Sequence, residues 1–283
     1  MEHNPLPAAT DVKYEINGTG APLLWAGGMN LNAGAYSDIR KNYPRTTENR
    51  TVITFDYRAP ADESGADLEQ TTEAYAADAL RLLDRLGIGE AHLMGTGGLG
   101  ALVMTQVGIA APGRIRAAAL CHGTLKIDVR LRWITEALEI LRVRGEYEAF
   151  RKLVLALNHT PGYLDENGDR LITPEAIERL GRVHSDPGLD RQFLAMRHAI
   201  SLHDVRATIG QLTSPVLVVS GDDIDPQMGT WAGQALHAAL PDSELFIVPG
   251  APHAISESTV FLGAIDEAVA AFFSKHPIAG GAQ

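Results

Sequence analysis

The sequence predicts an α/β protein: a doubly wound, mostly parallel sheet with helices on both faces and an inserted helical segment. Short apolar runs at 22–26, 51–56, 92–95, 116–122, 215–221 and 245–249 are bounded by turn residues, the pattern of strands buried on both faces. Helical periodicity recurs between these runs, and strands alternating with helices build a parallel sheet. Residues 126–205 break the alternation, because helical periodicity continues there with no strand pattern.

Taken in order, the strand at 22–26 leads into a Gly-Gly turn and the strand at 51–56 into a polar turn. Helix 73–86 follows, with Ala76, Ala79, Leu80 and Leu83 on one face and Gly87 as its stop. The strand at 92–95 runs into a glycine cluster, then a helix at 102–111 and the strand at 116–122. Within 126–205, Ile134, Leu138 and Leu141, then Phe150, Leu153 and Leu157, mark successive helices. The strands at 215–221 and 245–249 and a helix at 264–273 complete the pattern. The expected organisation is therefore a core of residues 1–125 and 206–283 with a helical cap at 126–205. A Gly-rich tail at 277–283 is expected to fray.

With 283 residues, 45% of them apolar, the chain can bury one large core. A net charge of −11 argues against nucleic acid and anionic membrane as partners, since both require clustered Lys and Arg. A small molecule is the expected substrate, and a homo-oligomer stays open. The lone Cys121 excludes an internal disulfide and a Cys-based metal site, so neither metal nor cofactor is expected. No apolar run approaches the ~18–20 residues needed to cross a bilayer, and the N-terminus lacks a secretion signal. A cytoplasmic location is the expectation.

Four segments carry chemistry. Leu23-Leu24-Trp25-Ala26-Gly27-Gly28-Met29 is a strand running into a glycine turn, and Phe55-Asp56-Tyr57-Arg58 opens a second turn that continues to Ser64. Ala91-His92-Leu93-Met94-Gly95-Thr96-Gly97-Gly98-Leu99-Gly100-Ala101 is a strand, a tight turn and a helix start. Ser220-Gly221-Asp222-Asp223-Ile224-Asp225-Pro226 and Pro249-Gly250-Ala251-Pro252-His253 place acids and a histidine after late strands. In order and spacing these segments resemble the α/β-hydrolase superfamily, over nearly the whole chain outside the cap. Gly27-Gly28-Met29-Asn30-Leu31 is similar to its capped esterase branch, which includes polyketide-tailoring enzymes.

The resemblance implies a Ser, acid, His order, and this chain has the elbow, Asp225 and His253 in that order. It also implies an oxyanion hole from the Leu99 amide and one amide of Gly28 or Met29. The elbow departs from the family pattern. Counting from Leu86-Gly87-Ile88 puts the nucleophile at Gly97, and counting back from Pro112-Gly113-Arg114 puts it at Gly98. Gly98 is favoured, because Gly100 is then the small residue two positions on. Either register yields glycine, which cannot attack a carbonyl. Gly95-x-Gly97-x-x-Gly100 also matches a dinucleotide fingerprint, but no acid follows at the required distance.

His253 is expected to be a base oriented by Asp225, with Asp223 as the alternative partner. Asn30, Trp133 and Tyr147 are candidate substrate contacts, and Phe150, Tyr163, Phe193, Met196 and His198 are further cap residues that could line a pocket. Three readings follow. The first is a non-hydrolytic enzyme using His253, Asp225 and the oxyanion amides for elimination, lyase or cyclisation chemistry. The second is a serine hydrolase whose serine has been exchanged for glycine. The third is a ligand-binding protein without catalysis.

Overall fold

The computed structural model describes residues 12–29, 35–58 and 70–278. The strands are β1 Tyr14–Asn17, β2 Ala21–Ala26, β3 Arg50–Phe55, β4 Ala91–Gly95, β5 Ile115–Cys121, β6 Val216–Ser220 and β7 Ser243–Ile247. They form one sheet in the order β1-β3-β2-β4-β5-β6-β7. Every pairing is parallel except β1 against β3, where Tyr14 faces Phe55 and Asn17 faces Val52. This antiparallel edge strand is absent from the sequence reading, because its burial is only partial and its apolar pattern correspondingly faint.

The helices are α1 Tyr36–Asn42, α2 Pro44–Thr47, α3 Thr72–Arg85, α4 Leu99–Ala110, α5 Val129–Val143 and α6 Tyr147–Asn158. They continue with α7 Pro161–Leu171, α8 Pro174–Ser185, α9 Pro187–Leu202, α10 Thr230–Ala239 and α11 Thr259–Lys275. The two-residue repeat of a strand divides β2 between two cores. Leu24 and Ala26 pack with Tyr75 and Leu83 of α3 and Val103 and Val107 of α4, whereas Leu23 and Trp25 pack with Ile39 of α1 and Phe272 and Phe273 of α11. Each large apolar side chain buried in this way contributes roughly 1.5–3 kcal/mol.

Local signals set several boundaries. Thr71 caps α3 by accepting the Ala74 amide at 3.1 Å, and Gly87 leaves the helix with φ 68°. Ser258 caps α11, which begins earlier than the 264 read from periodicity, by accepting the Val260 amide. β7 ends two residues before 249, where Pro249 and Gly250 turn the chain.

Between β5 and β6 the described chain contains five α-helices, α5 to α9, and no strand. The two ends of this stretch meet: Lys126 bridges Asp204, and the Val205 amide donates to the Leu125 carbonyl at 2.8 Å. Buried His203 ties the junction to the core through Thr72 Oγ at 3.0 Å. No helix among the described residues is long and apolar enough to cross a membrane. From β2 the chain moves outward to β3 and then returns past β2 to β4. The topological switch point, and with it the crevice in which open α/β sheets place their ligands, therefore falls at the carboxyl ends of β2 and β4.

Candidate active site

Only Thr96, Gly97 and Gly98 separate β4 from α4 at that crevice. The turn is held by the Thr96 amide, which donates to the Ala26 carbonyl of β2 at 2.9 Å. Its tightness dictates glycine at both shoulders: a β-carbon on Gly95 would lie 2.5 Å from the Gly100 carbonyl oxygen, and one on Gly100 would lie 2.1 Å from that of Ala26. Gly98 has φ 69° and ψ −85°, close to the rare γ-turn conformation, as a strained strand-to-helix elbow requires.

The two candidate apex residues point in different directions. A β-carbon on Gly97 (φ 66°) would face the Gly28 backbone at 3.1 Å, whereas one on Gly98 would face His253 Nε2 and Met228 Cε, each at 3.9 Å. Beyond the flanking residues of the turn, no other described atom lies within 4 Å of that second position. Among the described residues, Gly98 therefore leaves a slot with room for a β-carbon facing the histidine.

His253 and Asp225 follow β7 and β6 respectively, so sheet order brings them together. His253 Nδ1 lies 3.0 Å from Asp225 Oδ2. This pairing places the ring proton on Nδ1 and leaves the Nε2 lone pair facing the slot. The other carboxylate oxygen of Asp225 accepts from the amides of Gln227 (2.7 Å) and Met228 (3.1 Å). Burial raises the carboxyl pKa, but the His253 hydrogen bond, the neighbouring histidines and the Gln227 amide outweigh it and hold Asp225 below the usual carboxylate range. Asp223 instead accepts the Thr230 hydroxyl at the exposed side of the turn, and Asp222 braces the two loops by accepting the Gly250 amide at 2.7 Å.

This arrangement can be set against known proteins. The model of the alpha/beta hydrolase family matches residues 18–268. The chain belongs to the alpha/beta hydrolase family. A relative from Azorhizobium caulinodans that carries the name carbamate hydrolase RutD is 26% identical over 250 residues, covering 88% of this chain and 90% of its own. Another of that name, from Cronobacter sakazakii, is 28% identical over 204 residues, covering 72% and 74%. Among solved structures, MGS-M2, an alpha/beta hydrolase from a deep-sea metagenome library, superposes with TM-score 0.78 at 19% identity, covering 94% of this chain and 95% of its own. The enol-lactonase of Burkholderia xenovorans gives TM-score 0.71 at 18% identity over 93% and 96%. These two similarities establish the shared fold.

In this alpha/beta hydrolase, Leu99 is the first residue of α4, so its amide is among those without an intrahelical acceptor. Gly28 and Met29 leave β2 beside it, both half-buried. Gly28 approaches the Gly97 backbone so closely that a β-carbon there would lie 2.9 Å from the Gly97 carbonyl oxygen. Asn30 lies outside the described residues, as does the turn from Ala59 onward. Among the described residues, no hydrogen bond or ring contact joins Trp133 or Tyr147 to the dyad. Trp133 is 65% exposed on α5, and Tyr147 stacks on His184, within a cluster that also holds Phe150 and Phe193. Helical spacing placed both on the right kind of element, but it carries no information about which neighbour each would meet.

Other contacts come from residues the sequence did not flag. The α6–α7 junction rests on both dyad loops: the Ala254 amide donates to the Asn158 carbonyl at 2.8 Å, and Gln227 Nε2 donates to that of Leu157 at 3.1 Å. Buried Met228 closes one side of the slot. His122, just after β5 with φ 63°, is buried against the dyad, its ring 4.7 Å from that of His253 and its Nε2 3.7 Å from Asp225 Oδ2. Burial, then the adjacent His253, push its pKa down to about 3, so it is neutral. A histidine ending an apolar strand at the same sheet edge as the acid and the base is the available signal, although the run 116–122 reads as strand to its last residue.

Proposed function

We propose that this chain hydrolyses a small carbonyl compound without a covalent intermediate, with His253 as general base toward water and Asp225 orienting it. The observation that carries the reading is the slot at Gly98. Where an elbow side chain would stand, the backbone leaves open space facing His253 Nε2. A water oxygen one bond beyond that β-carbon position falls in the ~2.6–3.2 Å range from which a base takes a proton.

The remaining groups fit the same reaction. His253 Nε2 takes the water proton while the oxygen attacks the carbonyl carbon, and the developing oxyanion turns toward the Leu99 amide and the Gly28–Met29 turn. Asp225, held ionised, stabilises the imidazolium, which then returns its proton to the leaving group. The helical insertion serves as cover, since its α6–α7 junction already bears on both dyad loops. Relatives that carry the name carbamate hydrolase make carbamates and esters the substrates to test first.

The test is turnover of activated esters and carbamates in ¹⁸O-water. One ¹⁸O should enter the product, no acyl adduct should appear by intact mass, and His253→Ala should lower kcat/KM by about 10²–10⁴-fold with the fold retained. A wild-type rate in His253→Ala, or a trapped acyl-enzyme, would overturn the reading. A product formed by elimination or cyclisation, without ¹⁸O, would mean that His253 takes its proton from the substrate instead of water.

A further inference from the structure

We propose that His122, Asp225 and His253 form a binding site for a divalent transition-metal ion such as Zn²⁺, and that the bound ion switches His253 off as a base. The second half rests on the reading of His253 given above; the first does not. The three residues follow β5, β6 and β7, neighbouring strands of one sheet, so strand order brings them together.

The donor set and its spacing suit such an ion. One nitrogen from each ring and one carboxylate oxygen lie within 4.8 Å of one another. The two separations to Asp225 Oδ2 are 3.7 Å from His122 and 3.0 Å from His253. Tetrahedral Zn²⁺ with bonds of ~2.0–2.1 Å holds its ligand atoms about 3.3 Å apart, between those two values.

An independent observation points to a missing ligand. His122 is 1% exposed, yet among the described residues neither ring nitrogen has a hydrogen-bond partner of ordinary geometry, the Pro252 carbonyl being the one backbone acceptor that acts on the ring. Buried polar groups are almost always bonded, and leaving one unsatisfied costs stability. The 3.7 Å to Asp225 is too long for a hydrogen bond. An ion between them would satisfy the ring. The Pro252 carbonyl lies beside the same ring, and metal-bound histidines ordinarily give their second N–H to such a carbonyl. His122 is also held at φ 63°, a conformation uncommon outside glycine, so its backbone is committed to this aim.

The consequence for His253 follows from the two nitrogens of its ring. In the metal-free dyad Nδ1 carries the proton and Nε2 the free lone pair. An ion on Nδ1 needs the lone pair of that nitrogen, so the ring's one proton relocates from Nδ1 to Nε2, which then faces Gly98 as a donor with nothing to accept a proton. No proton leaves the imidazole, and base catalysis stops while the ion stays.

The full chain, stripped with a chelator and desalted, would be titrated with Zn²⁺ against a chromophoric competitor, and with Co²⁺ to read the visible bands of a tetrahedral site. One tight ion per chain is expected, with affinity about 100-fold or more lower in His122→Gln and the Co²⁺ bands lost. His237→Gln, a histidine remote from the site, should bind as the parent does. Should His122→Gln fail to fold, X-ray absorption at the zinc edge of the parent decides, two imidazoles in the first shell being the expected result. Weak binding equal in parent and His122→Gln, or a shell without two imidazoles, would overturn the site. The binding arms use no substrate, so they stand or fall apart from the hydrolytic reading. Activity is read as the ratio with and without Zn²⁺: this ratio should fall in the parent at the concentration that fills the site. An ion bound there with the ratio unchanged would overturn the switch.

Discussion

Gly98→Ser tests the elbow most directly. The new β-carbon would lie 3.9 Å from its nearest neighbours, His253 Nε2 and Met228 Cε, an ordinary van der Waals contact. No described atom has to move to admit it. The backbone at φ 69° costs an L-residue about 1–3 kcal/mol, a fraction of the roughly 5–15 kcal/mol that holds a domain folded. One bond further, the hydroxyl falls in the ~2.6–3.2 Å window in which His253 can take its proton, which is what makes a serine nucleophilic. The assay is reaction with an organophosphonate serine probe, followed by intact mass and peptide mapping. The parent should gain no mass, Gly98→Ser should gain one adduct on the elbow peptide, and adding His253→Ala should slow labelling by about 10²-fold or more. Gly97→Ser should stay unlabelled, since its side chain would be driven against the Gly28 backbone at 3.1 Å and away from the histidine. Labelling of Gly97→Ser alone, or of residues 95–101 in the parent, would refute this assignment of the apex.

Two further outcomes follow from burial and close packing. His92, His122 and His203 are buried, chiefly for that reason pushed down to about 4, about 3 and about 4, against ~6.5 in an unfolded chain. The unfolded chain therefore binds protons first, so their neutral burial costs nothing above pH ~6.5 and stability is lost as pH falls from there toward about 4. The loss approaches ~1.4 kcal/mol per pH unit for each histidine, about 4 kcal/mol per unit together, and the urea midpoint should drop steeply between pH 6.5 and 5; a flat midpoint would show that these rings are not buried neutral. Gly100→Ala would place a methyl 2.1 Å from the Ala26 carbonyl oxygen and 2.7 Å from that of Gly27, backbone on both counts, so α4 must shift off β2. It should lose about 1–3 kcal/mol or more in chemical denaturation, while Gly113→Ala, with no described neighbour within 4 Å, should lose little; equal effects would contradict the packing.

The sequence alone determined the layered architecture and the turns that carry the candidate site residues. Runs such as 116–122 are apolar throughout because a central parallel strand is buried on both faces, and that requirement is written residue by residue. The glycine shoulders of the elbow and the chain order of elbow, Asp225 and His253 are equally local signals. Tertiary structure decided everything that depends on direction or on neighbours across the sheet. Gly97 and Gly98 are identical letters, separated only by where a side chain would point. Asp225 and Asp223 share one turn, and only the path of that turn carries one of them under His253 while the other meets Thr230. Periodicity put Trp133 and Tyr147 on helices, yet packing left the first in solvent and the second against His184. His122 lies more than a hundred residues from both dyad members in sequence and reaches them because β5 hydrogen-bonds to β6, and β6 to β7. Propensity and periodicity act over a few residues along the chain, whereas strand order joins distant ones through backbone hydrogen bonds, so the third member of this cluster exists only in the folded sheet.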